Sequence, residues 1–189
     1  MNRKGFTLVE LIATIAILGI IMTIAIPNVL SIIEKNKQED FIESAKLLIS
    51  EAEYKVRGDS NIELPSDNNH GIVITLNYLN SGNFEDSAYD YKYDMNSFVL
   101  IVNESGTYNY YAHLTASKTI STNTGEDYTT IDKKNRGINL ATISELNSDA
   151  RFDLVKKADE VEIDMLKEVN ANKSITHNSK TITIDKVYN

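Results

Sequence analysis

The chain has 189 residues, a formal net charge of −8 and no cysteine. A chain of this length can bury one hydrophobic core. The lack of cysteine excludes disulfide bonds and cysteine metal sites, and the negative charge disfavours nonspecific nucleic-acid binding, which needs basic patches against phosphates.

A long apolar segment follows a short basic start. Residues 6–27 contain a single charged side chain, Glu10, and the preceding residues include Arg3 and Lys4. A helix rises about 1.5 Å per residue, so this segment reaches roughly 30 Å, enough to cross the hydrocarbon core of a bilayer. Basic residues before the segment favour a cytoplasmic N-terminus. We therefore predict one membrane-spanning helix over residues 6–27.

Neither a secretory signal peptide nor a plain anchor explains this segment. A secretory signal has a shorter apolar core followed by a small-residue cleavage site, whereas the Gly5–Phe6 junction lies before the apolar run. A carboxylate at the centre of a membrane helix costs about 2.5–3.5 kcal/mol on insertion scales, and a plain anchor gives no reason for Glu10.

The sequence KGFTLVE at residues 4–10 resembles the class III signal of type IV prepilins and related pseudopilins, and the similarity continues to residue 27. The resemblance implies that residues 1–5 are a leader and that a prepilin peptidase cleaves after Gly5. It implies that the new N-terminus, Phe6, is then methylated. It also implies that Glu10 acts in filament assembly.

The charge of Glu10 can be offset in one particular way after cleavage. The new ammonium group of Phe6 lies in the same apolar layer, and opposite charges offset the desolvation of one another. Within one straight helix the two groups are more than a turn apart, so we expect Glu10 to pair with Phe6 of an adjacent subunit. The Thr7 hydroxyl can add a hydrogen bond near these charges. Such a pair would fix the axial register of incoming subunits.

Gly19 and Pro27 bound a weak section of the predicted helix. Proline removes a backbone donor, and glycine lowers helix propensity by about 1 kcal/mol. The resemblance implies that the helix between them melts when subunits pack into a filament. Membrane helices also tolerate both residues, and glycine helps helices to pack closely. Both interpretations stay open.

Residues 28–57 have the pattern of an amphipathic helix that ends at Gly58. Apolar residues recur at helical spacing among charged ones, which predicts one buried face. Lys55 and Arg57 lie in the last turn, where the helix dipole favours cations. The predicted buried face contains Leu30, Ile33, Phe41, Ile42, Ala45, Leu48, Ile49, Ala52 and Val56.

Residues 58–88 are rich in turn-forming residues and are predicted to be a connecting loop region. Their apolar piece, residues 72–79, is compatible with a strand or a short helix. Residues 89–189 are predicted to form the sheet of the head. Three segments, residues 89–95, 97–102 and 107–114, have strand patterns joined by short turns, which predicts an antiparallel meander that packs on the helix.

The C-terminal part extends this head. Residues 115–135 are polar and suit an edge strand plus a loop, and residues 143–157 have helical spacing, with Ser144 or Ser148 as candidate caps. Residues 160–166 alternate like a strand. Residues 174–187 suit a hairpin that turns at Asn178–Ser179.

The predicted architecture is therefore α+β, a type IV pilin fold. A long N-terminal helix with a transmembrane half and an amphipathic half packs on an antiparallel sheet head, which has an extended C-terminal region. The resemblance implies a major or minor pilin, cleaved and methylated, then assembled into an extracellular filament for adhesion, motility or aggregation. A pseudopilin of a type II secretion or competence apparatus is the alternative. A membrane-anchored enzyme or receptor is disfavoured by Glu10 and the Gly5 junction.

The expected partners follow from the same resemblance. They are other pilin subunits in a homo- or heteropolymer, prepilin peptidase, the inner-membrane assembly machinery, and membrane lipid before assembly. The three histidines are scattered, and neither a metal-binding nor a nucleophile motif occurs. We therefore predict a single-pass membrane precursor and a surface filament protein, with no enzymatic activity, no cofactor and no specific nucleic-acid partner.

Overall fold

The computed structural model describes residues 5, 7–84, 86–123, 129–157 and 160–189, without the side chains of residues 119–134. The predicted α+β architecture is confirmed: a long N-terminal helix precedes a sheet that is mostly antiparallel. The helices are α1 (Leu8–Gly58), α2 (Leu76–Leu79), α3 (Ile143–Leu146) and α4 (Met165–Asn172), with one 3-10 turn at Arg151–Leu154. The strands are β1 (His70–Thr75), β2 (Lys92–Tyr93), β3 (Phe98–Glu104), β4 (Thr107–Asn123), β5 (Thr129–Thr142), β6 (Lys156–Lys157), β7 (Ser174–His177) and β8 (Lys180–Tyr188).

The chain divides into two compact units, residues 1–37 and residues 38–189. In the first unit the side chains of residues 8–33 of α1 are solvent-exposed, including those of Leu30 and Ile33, at 60% and 44% exposure. The prediction that these two residues belong to the buried face is therefore wrong. The helical period continues through them, but the buried residues of α1 begin at Phe41.

In the second unit, the buried side of α1 packs on one face of the sheet. Six of the predicted positions on α1 are buried, which confirms the amphipathic pattern. They form one cluster with alternate residues of the strands, such as Val99 and Ile101 of β3. The buried positions of α1 are Phe41, Ile42, Ala45, Leu48, Ile49 and Ala52.

The other face of the sheet is covered by α4. Phe98, Leu100 and Val102 of β3 form a second cluster there with residues of α4 such as Val169. Because β3 is buried on both faces, its sequence shows a continuous apolar run instead of alternation. The predicted central strand is confirmed.

The sheet has the order β6-β5-β4-β3-β1-β8-β7, and β2 pairs with β4 beside this path. Each pair is antiparallel except β1 with β8, which is parallel. The apolar piece at residues 72–79 forms both of its alternative structures, since β1 runs directly into α2 at Thr75. The hydroxyl of Thr75 accepts a hydrogen bond from the backbone N–H of Tyr78 and so caps the helix.

The predicted meander is only partly correct. β3 and β4 form the expected hairpin, with Ser105 and Gly106 at φ of 55° and 87° in its turn. The segment at residues 89–95 contributes only the two-residue strand β2, which pairs with β4. A turn closed by the Asp90 N–H and the Ser87 carbonyl at 2.8 Å precedes it, and this turn interrupts the alternation.

The region after residue 115 departs most from prediction. The predicted helix over residues 143–157 is broken into α3, a 3-10 turn and β6. Asn147 and Ser148 explain the break, because their side chains donate hydrogen bonds to the carbonyls of Ile143 and Glu145 and so compete with the next helical turn. The cap of α3 is Thr142, so neither predicted cap is correct.

The other predicted segments of this region have different outcomes. The predicted strand over residues 160–166 is wrong, because α4 begins at Met165 within it. The polar residues 115–135 form most of a long β4–β5 hairpin; their segment 124–128 lies outside the described residues. The hairpin at Asn178–Ser179 is confirmed, with φ of 49° and 63° at the two turn residues.

A buried histidine lies between the strands and the C-terminal segment. His113 of β4 is 2% exposed and stacks on Phe98, with the ring centroids 4.8 Å apart. Its Nδ1 has no hydrogen-bond partner among the described residues. Burial lowers the pKa of His113 to about 4, and a hydrogen bond to the backbone of Glu162 opposes this effect. Protonation of this ring therefore opposes the folded state.

We expect the head to lose stability as the pH falls from about 6.5 towards 4. Between the ordinary pKa and the lowered one, the unfolded chain binds a proton at His113 that the folded chain does not, which costs about 1.4 kcal/mol per pH unit. Urea unfolding of the fragment from Asn28 onward, at a series of pH values, measures this. The difference from His113→Gln isolates the ring from carboxylates that titrate nearby, and identical slopes in both proteins would contradict the assignment.

Candidate N-terminal processing and assembly site

The predicted cleavage site lies immediately before α1. Gly5 is exposed, and no atom lies within 4 Å of the position that a Cβ would occupy. Thr7 is exposed as well, whereas Phe6, the predicted new N-terminus, lies outside the described residues. Of the two residues at the junction, the structure thus describes only Gly5, and it is exposed.

Thr7 and Glu10 form a capping box at the start of α1. The Glu10 Oε2 atom accepts hydrogen bonds from the backbone N–H and the hydroxyl of Thr7, both at 2.8 Å. The backbone N–H of Glu10 in turn donates to the Thr7 hydroxyl at 3.3 Å. These bonds satisfy two of the backbone groups that a helix start leaves without intrahelical partners. Glu10 therefore has a local role that does not need a second subunit.

The chain repeats this arrangement at the start of α3. The Thr142 hydroxyl and backbone N–H donate to Oε2 of Glu145 at 2.8 Å, and the Glu145 N–H donates to Thr142 at 3.3 Å. The capping role of Glu10 was not among the predictions from the sequence. The signal was visible as Thr-x-x-Glu before an apolar run, which is the signature of a helix start.

The capping bonds use only one oxygen of Glu10. Both donors of Thr7 bind Oε2, and no residue among those described binds Oε1. The neighbouring Leu8 and Val9 are 73% and 74% exposed. The site therefore presents one carboxylate oxygen on an open apolar surface.

Gly19 and Pro27 both lie within a helix that remains continuous across them. The Gly19 carbonyl accepts a hydrogen bond from the Thr23 hydroxyl at 2.8 Å. Pro27 lacks an N–H, so the Thr23 carbonyl loses its usual donor, and the Asn28 side chain donates to the Ile24 carbonyl at 3.1 Å. Side chains thus supplement the backbone bonds on both sides of the weak section.

The apolar part of α1 is long and hydrophobic enough to cross a membrane, and its side chains are not buried within the described structure. Elsewhere, the described residues bring no three His, Asp or Glu side chains together as a metal site. His70 pairs with Asp185 at 2.6 Å, and His177 contacts the side chain of Asn178. Neither arrangement resembles a catalytic site.

Comparison with known proteins supports the N-terminal assignment. The family model described as the prokaryotic N-terminal methylation motif matches residues 1–26. This motif is the hallmark of type IV pilin and pseudopilin precursors, a structural family, and the observed α+β architecture is consistent with the type IV pilin fold. No curated protein and no solved structure matched the chain. The N-terminus therefore carries a class III signal that supports a membrane-anchored precursor.

The capping box predicts different effects for two substitutions of Glu10. Glu10→Ala removes the acceptor of the Thr7 N–H but keeps the bond from the Glu10 N–H to the Thr7 hydroxyl, so it destabilises the first turn by about 1 kcal/mol and makes the hydrogen-bonded amides of that turn exchange about fivefold faster. Glu10→Gln keeps an acceptor at the same position and changes the exchange less. Hydrogen exchange at Thr7, Glu10 and Leu11, whose amides are hydrogen-bonded in this turn, measures both variants in detergent micelles, and equal rates in the two would contradict the cap.

Proposed function

We propose that this chain is a structural subunit of an extracellular type IV filament, assembled from a membrane-anchored precursor. One observation carries the proposal: the methylation motif at residues 1–26 includes the start of an exposed apolar helix, and the first turn of that helix contains the carboxylate of Glu10. A large exposed apolar surface needs a partner, and this one can exchange lipid for the helices of other subunits. A homopolymer or a heteropolymer satisfies this need.

Processing comes first in this proposal. A prepilin peptidase cleaves between Gly5 and Phe6 and methylates the new amine of Phe6. The open space around Gly5 supports access of the enzyme to the junction. Cleavage removes Arg3 and Lys4, which hold the precursor N-terminus on the cytoplasmic side. The mature helix then begins close to its capping residue, Thr7.

Assembly depends on the oxygen of Glu10 that the cap leaves open. The proposed partner of Oε1 is the ammonium group of Phe6 in an adjacent subunit, while Thr7 holds Oε2. The cap fixes the orientation of the carboxylate before the partner arrives, which lowers the entropy lost when the ion pair forms. Because two buried charges must meet, a subunit in the wrong axial position leaves both unpaired, at a cost of several kcal/mol.

The weak section of α1 from Gly19 to Pro27 is proposed to melt within the filament. The Thr23 side chain can keep the Gly19 carbonyl satisfied when the backbone unwinds, as it already binds that carbonyl in the helix. Local unwinding would let subunits pack closely and let the filament stretch. The assembly machinery of the inner membrane would extract the helix from lipid, after which the head lies at the cell surface and supports adhesion, motility or aggregation.

The test compares substitutions in the two capping boxes. We expect Glu10→Ala and Glu10→Gln to be inserted and cleaved like the wild type, yet to lower the yield of sheared surface filaments at least tenfold, because both lack the charge. Glu145→Gln makes the same chemical change in the head and should assemble normally. Normal filament yield from Glu10→Gln would contradict the proposed ion pair.

Immunogold microscopy of the same preparations tests the filament role itself. Continuous labelling along filaments is expected of a major subunit, and sparse or terminal labelling of a minor one. Unlabelled filaments, with the protein retained in the membrane, would contradict the proposal and favour a pseudopilin of a secretion or competence apparatus.

A further inference from the structure

One edge of the sheet is left open beside α1. β3 pairs with β4 as far as the pair Glu104–Thr107, whereas β5 pairs with β4 only as far as Tyr111–Thr142. At Thr142 the capping box turns the chain into α3 and away from the sheet. Residues Thr107–Tyr110 of β4 therefore have β3 on one side and, among the described residues, no strand on the other. We name these residues the open β4 edge.

A groove of about 410 Å³ runs along this edge. Ile49 and Glu53 of α1 line one side of it, and the beginning of α3, from Thr142 to Ser144, lines another. Its apolar lining includes Tyr108 and Tyr110, both partly buried, and Ile143, which is 47% exposed. A groove between a helix and an open strand edge is the geometry in which an extended segment adds itself to a sheet.

The same chain also contains a strand segment that is paired on one edge only, within the part of the chain that the structure describes. Beyond the pairs Ser117–Asn135 and Ala116–Arg136, β4 and β5 continue as a two-stranded ribbon to the pair Asn123–Thr129. In the described part of the chain, no third strand pairs with residues 118–123 or 129–135. The neighbouring strands end before the ribbon begins: β2 pairs with Ala116 and Ser117 of β4, and β6 pairs with Arg136 and Gly137 of β5. A two-stranded ribbon is at best marginally stable in water, and a third strand would stabilise it.

The charges of the ribbon and the groove are complementary. The β5 segment of the ribbon, residues 129–135, contains two lysines, Lys133 and Lys134, and one acid, Asp132, so its net charge is +1. The groove contains the carboxylate of Glu53. Glu53 already pairs with Arg57 at 3.1 Å, but the Arg57 side chain is 77% exposed, and such a surface pair is weak enough to share its carboxylate with an incoming lysine.

We propose that residues 129–135 of one subunit add as a strand to the open β4 edge of a second copy of this chain, an inference that rests on the proposed filament function. The donor and acceptor surfaces are different parts of the molecule, so each copy that receives a strand still presents its own ribbon. Such a head-to-tail contact forms an open filament when the rotation between successive copies does not close into a ring. It adds a backbone-mediated contact between heads to the helix packing below.

Cysteine cross-linking in assembled filaments tests this contact directly, because the chain has no cysteine of its own. Thr107→Cys places a thiol at the exposed end of the open β4 edge, and Thr130→Cys places one on the donor strand. Sheared filaments of the double variant, treated with a mild oxidant, should give a ladder of covalent multimers on denaturing gels. Filaments of either single variant should remain monomeric on the same gels.

The matched control moves the second thiol to the opposite edge of the sheet. Thr107→Cys with Thr176→Cys pairs the same acceptor with an exposed position on β7, and it should give no ladder. A ladder from this control and none from the first pair would overturn the proposal. Labelled filaments that form normally but cross-link in neither variant would also overturn it, while the proposed function would stand. If the wild-type protein forms no filaments, both the strand-addition proposal and the proposed filament function fail.

A charge exchange gives a second, independent readout. In the cross-linking background, Lys133→Glu with Lys134→Glu should lower the yield of multimers several-fold. Adding Glu53→Lys should restore much of the yield, since it returns opposite charges to the two surfaces. A yield that does not respond to either step would contradict the assigned pairing of ribbon and groove.

Discussion

The carboxylate of Glu10 constrains everything else in the N-terminal half of the molecule. It is the one charged side chain in the apolar part of α1, residues 8–27, whose side chains are exposed in the isolated subunit. Thr7 binds one of its oxygens within the chain, so the helix begins at a defined residue, and the other oxygen has no partner among the described residues. In the proposed filament this half-satisfied acid favours association in one register, because a misplaced neighbour would leave the charge unpaired.

The head likewise has a core of its own, and part of its sheet has no neighbouring strand among the described residues. β3 lies at the centre of a sheet that is covered by α1 on one face and by α4 on the other, so the core needs no disulfide. The hairpin of β4 and β5 nevertheless extends beyond its neighbours at one end, and β5 turns away at Thr142 at the other. Contacts between heads can complete both ends without changing the core that holds each subunit together.

How far the sequence predicts this structure depends on the range of the interactions that decide it. The buried positions of α1 from Phe41, the central strand β3 and the hairpin at Asn178 are local patterns, and the structure confirms them. The helix predicted over residues 143–157 fails because Asn147 and Ser148 bond to carbonyls that the next turn would use. The open β4 edge depends on where β5 ends relative to β3, and no single stretch of sequence contains that information. The capping role of Glu10 is a local pattern too, Thr-x-x-Glu before an apolar run, but a charge within an apolar segment directs attention to pairing with another subunit.

Mass spectrometry of the native protein is the decisive measurement, since the proposed ion pair requires the amine that cleavage creates. The account predicts that the mature chain begins at Phe6, lacks residues 1–5 and carries one added methyl group on its N-terminal nitrogen. A native chain that retains residues 1–5 with no methyl group at residue 6 would contradict it, because Glu10 would then have no amine of a neighbouring subunit to bind.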